Sequence, residues 1–338
     1  MLDTVHNRIT ASTLKGFSGK LTDNITGNQP VLWKLGQLGG IVTRGGGSSI
    51  AESIILADNQ SVHWYSGSDP LDTTASDLTF AEVGWKQLAG IASITGIEKF
   101  KNSSQPERIF DLWDGLGKQL AITMRKKTNE ALFSDGSADG GKALTGFLLA
   151  VENGDAWSTY AEIDSNAVTN WRNQFIDVGV VGGAVDATKI ATFRRGMTQL
   201  VNSCLGGGDR PHLIVMVRGL MEFWETNILQ AQEHYERVSS DEDLVRNGFE
   251  NYVFKGVPAL WDENMLPNGT GDDQAGMIAL NLDYCKLVLG ENFEYSFSDV
   301  IRPDNQDLES VQCLMYGNIV LSNRRRQGRA DFDSTGGL

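Results

Sequence analysis

Residues 74–104 read TASDLTFAEVGWKQLAGIASITGIEKFKNSS, and residues 105–134 continue QPERIFDLWDGLGKQLAITMRKKTNEALFS. The first stretch is rich in β-branched and aromatic residues in partial alternation, which predicts strand. The second carries the strongest helical signal in the chain. Ile109, Leu112, Trp113, Leu116, Leu120, Met124, Ala131 and Leu132 recur at three- and four-residue intervals after Pro106, a residue suited to a first helical turn. Glu107, Asp111 and Asp114 lie early and Arg125, Lys126 and Lys127 late, the arrangement that the helix dipole favours. Some 28 residues at 1.5 Å each predict a rod of about 40 Å, stopped at Ser134-Asp135-Gly136. A rod with one apolar stripe is a spine against which a sheet packs.

Upstream, residues 50–65 (IAESIILADNQSVHWY) mirror the strand-like character of 78–100 across a break, SGSDPLD, where Gly67, Pro70 and Asp72 mark a bend. The prediction is a long hairpin-like excursion with one polar and one apolar face. No neighbouring segment reads as its partner sheet, so another element or another chain must cover it. Trp64 and Tyr65 fall near its tip, where exposed aromatics suit a protein interface. Residues 1–50 are polar and weakly periodic, an extended arm closed by a flexible joint at Gly45, Gly46 and Gly47.

Downstream, SDGSADGGKALTGF is a Gly-rich turn. A second helix is predicted from an Asp186 N-cap, with Ile190, Phe193, Met197, Leu200, Val201 and Cys204 on one face and Gly206, Gly207 and Gly208 at its end. An apolar strand LIVMV, a helix over about 220–235, and strands near 256–261, 276–282 and 285–289 make 186–290 an α+β or α/β module. The segment VQCLMYGNIVLSNRRRQG reads as a final strand with a basic exit.

The chain of 338 residues carries 29 basic and 43 acidic side chains, a formal charge of −14, with 41% hydrophobic residues, 38 Gly and 7 Pro. That composition describes a folded protein with many bends and excludes general disorder. So acidic a chain should not coat nucleic acid unaided. No run reaches the ~20 apolar residues of a membrane span, and MLDTVHNRITAST has no secretory signature, so the protein is expected to fold in cytoplasm. Cys204, Cys285 and Cys313 are read as buried free thiols. Gly136 to Lys142 matches GxxxxGK, but Ala143 replaces the hydroxyl residue and a helix precedes where a strand is needed. His6, His63, His212 and His234 show no metal-ligand spacing, and no nucleophile motif occurs, so no catalytic residue, cofactor or metal is assigned. Of the basic runs, Arg125 to Lys127 answers acidic neighbours or the helix C-terminus, while Arg324, Arg325, Arg326 and Arg329 are read as pairing with carboxylates within or between subunits, or as facing packaged nucleic acid.

The whole layout resembles the major capsid protein of tailed bacteriophages, the Hong Kong 97-like shell fold. The resemblance rests on residues 74–104 running into the helix, LFSDGSADGGKALTGF after it, and NQDLESVQCLMYGNIVLSNRRRQG near the end. It implies an α+β fold with an N-terminal arm (1–50), an extended β-hairpin loop (51–100) and a peripheral domain (101–185) whose spine helix covers 105–134. An axial domain (186–300) and a C-terminal return strand with tail (301–338) complete it. In that reading Val62, Trp64, Tyr65, Leu71 and Trp85 are inter-subunit contacts of the loop, and Gly45, Gly46, Gly47 and Gly67 are hinges. The implied partners are copies of the chain itself, portal and scaffolding proteins, a decoration protein, and double-stranded DNA held by weak contact, with no membrane. The implied location is the virion, with assembly in the host cytoplasm. No lysine–asparagine crosslink is expected, since nothing distinguishes Lys86, Lys99 or Lys101. A cargo-enclosing bacterial nanocompartment shares the fold, and a soluble oligomeric enzyme using 186–290 is the alternative of a different class.

Overall fold

The computed structural model describes residues 29–59, 61–69, 79–102, 112–154, 157–180, 187–229, 251–265 and 274–333. Two sheets organise it. In the first, β14 (Leu308–Leu321) pairs antiparallel over ten residues with β4 (Lys86–Thr95), and its C-terminal part pairs with β12 (Cys285–Gly290). β1 (Ile41–Arg44) adds in parallel to β12, and β13 (Ser296–Phe297) to β14. Gly317 pairs with Lys86 on one side and Leu289 on the other. A Cβ there would meet the Val288 carbonyl at 2.5 Å, so only glycine fits where the three strands converge.

The second, six-stranded sheet has the order β7 (Gln174–Val180), β15 (Gly328–Asp333), β11 (Gln274–Leu280), β8 (Leu213–Met216), β10 (Val257–Trp261), β9 (Tyr252–Phe254). All four residues of β8 are buried, as an apolar run without alternation requires of a strand covered on both faces. Leu213 and Val215 join one hydrophobic core with Leu260, Ile278 and Leu280. Ile214 and Met216 face the other, beneath a helix at Ala187–Cys204 that buries Phe193, Met197, Leu200, Val201 and Cys204. The predicted apolar face of that helix is therefore observed, while Asp186 lies outside the described residues.

The helices are numbered α1 (Pro30–Gln37), α2 (Gly96–Lys101), α3 (Leu112–Leu132), α4 (Ala187–Cys204) and α5 (Arg218–Trp224). α3 is the predicted spine; its first expected turns, 105–111, lie outside the described residues. It packs on β4, where Gly90 admits Leu120: a Cβ would stand 2.5 Å from Leu120 Cδ1. Its buried side includes Leu112, Met124 and Leu132, but also Gly115, Thr128 and Asn129, polar or small positions that periodicity did not single out.

Three expectations change. Residues 86–95 are a sheet strand rather than a hairpin flank, because β14 supplies a partner more than two hundred residues away in sequence. The end of the expected arm is structured: α1 buries Val31 and Leu35, and β1 belongs to the first sheet; residues 1–28 lie outside the described residues. The segment 186–300 does not coincide with one sheet either. Cys285–Gly290 pairs in the first sheet, whereas Gln174–Val180 and Gly328–Asp333 pair in the second.

Candidate assembly surface

The true hairpin pairs β2 (Ile50–Ile54) with β3 (Thr79–Val83), antiparallel from Ile50↔Val83 to Ile54↔Thr79. Alternation gives it two faces. Ile50, Ile54, Ala81 and Val83 are buried against the body, and Phe80 points outward, exposed. The base is held electrostatically: Glu52 is almost buried between Arg44 and Lys286, whose Nζ stands 3.1 Å from its Oε2. Glu82 N donates at 3.1 Å to the carbonyl of Ala161, in the turn between β5 (Thr159–Tyr160) and β6 (Ile163–Asp164).

Past the base, Leu56 still packs against the core and its carbonyl accepts from Asn170 Nδ2 at 3.0 Å. Further out, Asn59 Oδ1 accepts from Ser61 N at 2.9 Å, and Ser66 N donates to Asp69 Oδ2 at 2.7 Å, local turns that shape the excursion. Its large side chains face solvent: Ile55 is 78% exposed, Val62 81%, Trp64 103% and Tyr65 64%. Val62, Trp64 and Tyr65 are thus displayed as a contact surface would need. Leu71, with Pro70 and Asp72, lies outside the described residues. A Cβ at Gly67 would meet nothing within 4 Å.

Trp85 is placed differently. It is half-buried on its own chain, and its indole Nε1 donates to the Gly47 carbonyl at 3.0 Å. Gly46 and Gly47 hold φ of +115° and +123°, a region that favours glycine. The Gly45–Gly47 joint is therefore a clasped turn between β1 and β2.

The basic run divides, and for Arg324 and Arg329 it is carboxylate pairing within the chain that is observed. Arg324 is fully buried, donating to Ala150 O at 2.7 Å, Ser165 Oγ at 2.6 Å and Glu152 Oε2 at 3.0 Å, with its guanidinium 5.1 Å from the centre of the Tyr160 ring. Burial pulls its pKa below the ordinary guanidinium value, opposed by the Glu152 carboxylate. Arg329 is buried too, in a bidentate pair with Asp331 at 2.8 and 2.9 Å. Neither can face another subunit or nucleic acid, because intramolecular carboxylates and carbonyls have claimed both. Arg326 lies 3.8 Å from Asp209, and Arg325 alone of the four is exposed.

A polar joint that sequence reading missed ties α3 to the end of β10. Asn129 Nδ2 stands 3.2 Å from both Asp262 oxygens, and Asn264 N donates to Asp262 Oδ1 at 2.9 Å. Burial pushes the Asp262 carboxyl up to about 6, against the lowering effect of these hydrogen bonds. The one available signal was an Asn on the apolar side of a helix.

Cys204, Cys285 and Cys313 are free and buried, as read. Among the described residues no group of His, Cys, Asp and Glu could hold a metal ion, and no helix is long and apolar enough to cross a membrane.

A two-lobed α+β body, a spine helix on a long sheet and a hairpin reaching off it define the Hong Kong 97-like shell fold, and solved structures bear this out. The chain is similar to the capsid of cyanophage A-1(L), with a TM-score of 0.64 at 18% identity over 96% of this chain and 97% of that one. The capsid of a native GTA particle matches with a TM-score of 0.60 at 14% identity, over 95% of this chain and 94% of that one. The SrpI encapsulin of Synechococcus elongatus matches with a TM-score of 0.59 at 10% identity, over 100% and 98%. No family model and no curated protein sequence matches the chain.

Proposed function

We propose that this chain is the subunit of a closed protein shell, the head of a tailed phage enclosing double-stranded DNA. The reading is carried by the hairpin: its base is bonded to the body, while Val62, Trp64 and Tyr65 beyond it are exposed. Covering such side chains with neighbouring copies removes apolar surface at roughly 25 cal/mol per Å². Contacts repeated around five- and six-fold rings hold because losing one subunit breaks several at once. The fold shared with phage capsids supports a structural rather than catalytic role. The net charge of −14 suits an inner wall to which packaged DNA does not stick. Bending at Gly67 and around Gly45 to Gly47 would let one sequence occupy pentamers and hexamers. Portal and scaffolding partners, a decoration protein and assembly in the host cytoplasm belong to the same proposal.

Electron microscopy and light scattering of the purified protein test it. Closed particles are expected, and Trp64→Ser with Tyr65→Ser should leave a folded subunit that no longer forms them. Undiminished assembly of that variant would remove the hairpin from the mechanism. An encapsulin-like compartment is the second reading, favoured by the full-length match to SrpI. Particles that package protein and no DNA would decide for it.

A further inference from the structure

At the foot of the hairpin, an open cleft of about 330 Å³ is lined by Trp85, Phe293, Tyr316 and Glu291, with Gly45 to Gly47 as one wall. Backbone hydrogen bonds set these groups: Glu291 N donates to Arg44 O at 2.9 Å, Phe293 N to Gly290 O at 2.9 Å and Tyr316 N to Phe293 O at 3.2 Å. The Phe293 and Tyr316 rings stack with centroids 4.2 Å apart. The Glu291 carboxylate lies over Gly45, where a Cβ would approach Oε2 to 3.2 Å. Glu291 has no hydrogen-bond or ion-pair partner for its carboxylate among the described residues. Arg44, the one cation in the lining, is turned away, paired with Glu52 and donating to Ala51 O at 3.1 Å.

Aromatic faces beside an unpaired carboxylate form a cation site. A guanidinium suits it better than an ammonium, because a planar fork can stack on a ring while donating to both carboxylate oxygens. We infer that this cleft receives an arginine side chain of a second copy of the chain, an assignment that rests on the shell reading above. Charge complementarity names the occupant: the same acidic chain exposes Arg125, Arg194, Arg195 and Arg325, none with a side-chain ion-pair partner among the described residues. The cleft also adjoins the hairpin whose apolar side chains await cover.

Two measurements on the full chain test the inference. The indole N–H resonance of Trp85, assigned by its loss in Trp85→Phe, is followed while L-argininamide or the neutral isostere L-citrullinamide is added at constant ionic strength. Argininamide should shift it and citrullinamide should not, and Glu291→Gln should weaken binding about tenfold. In the second measurement, argininamide and Glu291→Gln should each lower the association of subunits seen by light scattering. No shift, or equal shifts from both probes, overturns the cation site. Binding lost in Glu291→Gln with association undiminished overturns the second copy as occupant. If the wild-type subunits never associate, the shell reading fails and the occupant with it, whatever the resonance shows.

Discussion

Arg324 and Glu152 form an ion pair that solvent does not reach: the guanidinium is fully buried and the carboxylate 6% exposed. Glu152 is itself positioned by reciprocal bonds with Asn173, its N donating to Asn173 Oδ1 at 3.0 Å and its carbonyl accepting from Nδ2 at 2.9 Å. The pair sits where the chain leaves β14 in one sheet and enters β15 in the other, so it fastens the crossing between the two sheets.

Removing one partner strands the other charge in a low-dielectric interior. Arg324→Ala should therefore cost about 3–5 kcal/mol, and Arg325→Ala, one residue away and exposed, within about 0.5 kcal/mol. Urea unfolding of the dissociated subunit would measure both. Equal, small effects would show that the buried network carries no stability.

Asp262 gives the subunit a pH dependence whose sign can be worked out. Its carboxyl sits at about 6 in the folded chain against an ordinary 3.8, so the folded state holds the proton more tightly than the unfolded state. Its contribution to stability is fullest below about pH 4 and is lost as pH rises through about 6. The difference amounts to at most about 3 kcal/mol. Asp262→Asn should flatten stability over that window and leave the protein at least as stable at pH 7. An amide there could donate to Asn129 Oδ1, which is buried without a partner. Unfolding curves at a series of pH values would show an unchanged slope if the joint were irrelevant.

Two glycines should respond differently to one added methyl. At Gly317 the obstacle is a backbone carbonyl, Val288 O at 2.5 Å, and Leu289 Cδ2 and Cα follow at 2.9 and 3.4 Å. Gly317→Ala should cost about 1–3 kcal/mol by overpacking. At Gly90 the nearest atom is the end of the Leu120 side chain, which can swing aside, so Gly90→Ala should cost less. Thermal unfolding of both variants makes the comparison.

The thiols should be inert while the protein is folded. Burial pushes Cys204 and Cys285 each up to about 12, leaving little thiolate at pH 8. Iodoacetamide followed by mass spectrometry should label them only once denaturant opens the fold. Rapid labelling of the native protein would contradict the packing of α4 and β12.

The sequence displayed what local periodicity can encode. Leu112, Met124 and Leu132 announced the spine, and Phe193, Met197 and Leu200 announced α4, because each burial repeats every three or four residues. Non-local pairing was hidden. β4 read as half of a hairpin since nothing in its alternation tells a neighbouring strand from one beginning at Leu308. β15, GRADFD, did not read as strand at all. Its charges satisfy each other: Arg329 and Asp331 stand two apart on one face of the strand and pair there, beneath the surface. The burial of Arg324 was hidden for a related reason, since nothing in a run of three arginines tells which of them meets a carboxylate inside the fold. The exposed hairpin aromatics were legible because Gly67 and Pro70 set a bend among side chains that had no local partner. Asn129 and Asp262 were invisible because their meeting depends on how α3 lies against the second sheet.

The position of β15 between β7 and β11 also governs the order in which the molecule can be made. On the ribosome, residues 174–180 emerge long before 328–333, and among the described residues β7 pairs with no other strand. A nascent chain must hold that edge open until synthesis has passed the second sheet's remaining strands. Subunits interrupted before that point would leave β7 and β11 without the strand between them, an open edge exposed to pairing with other chains.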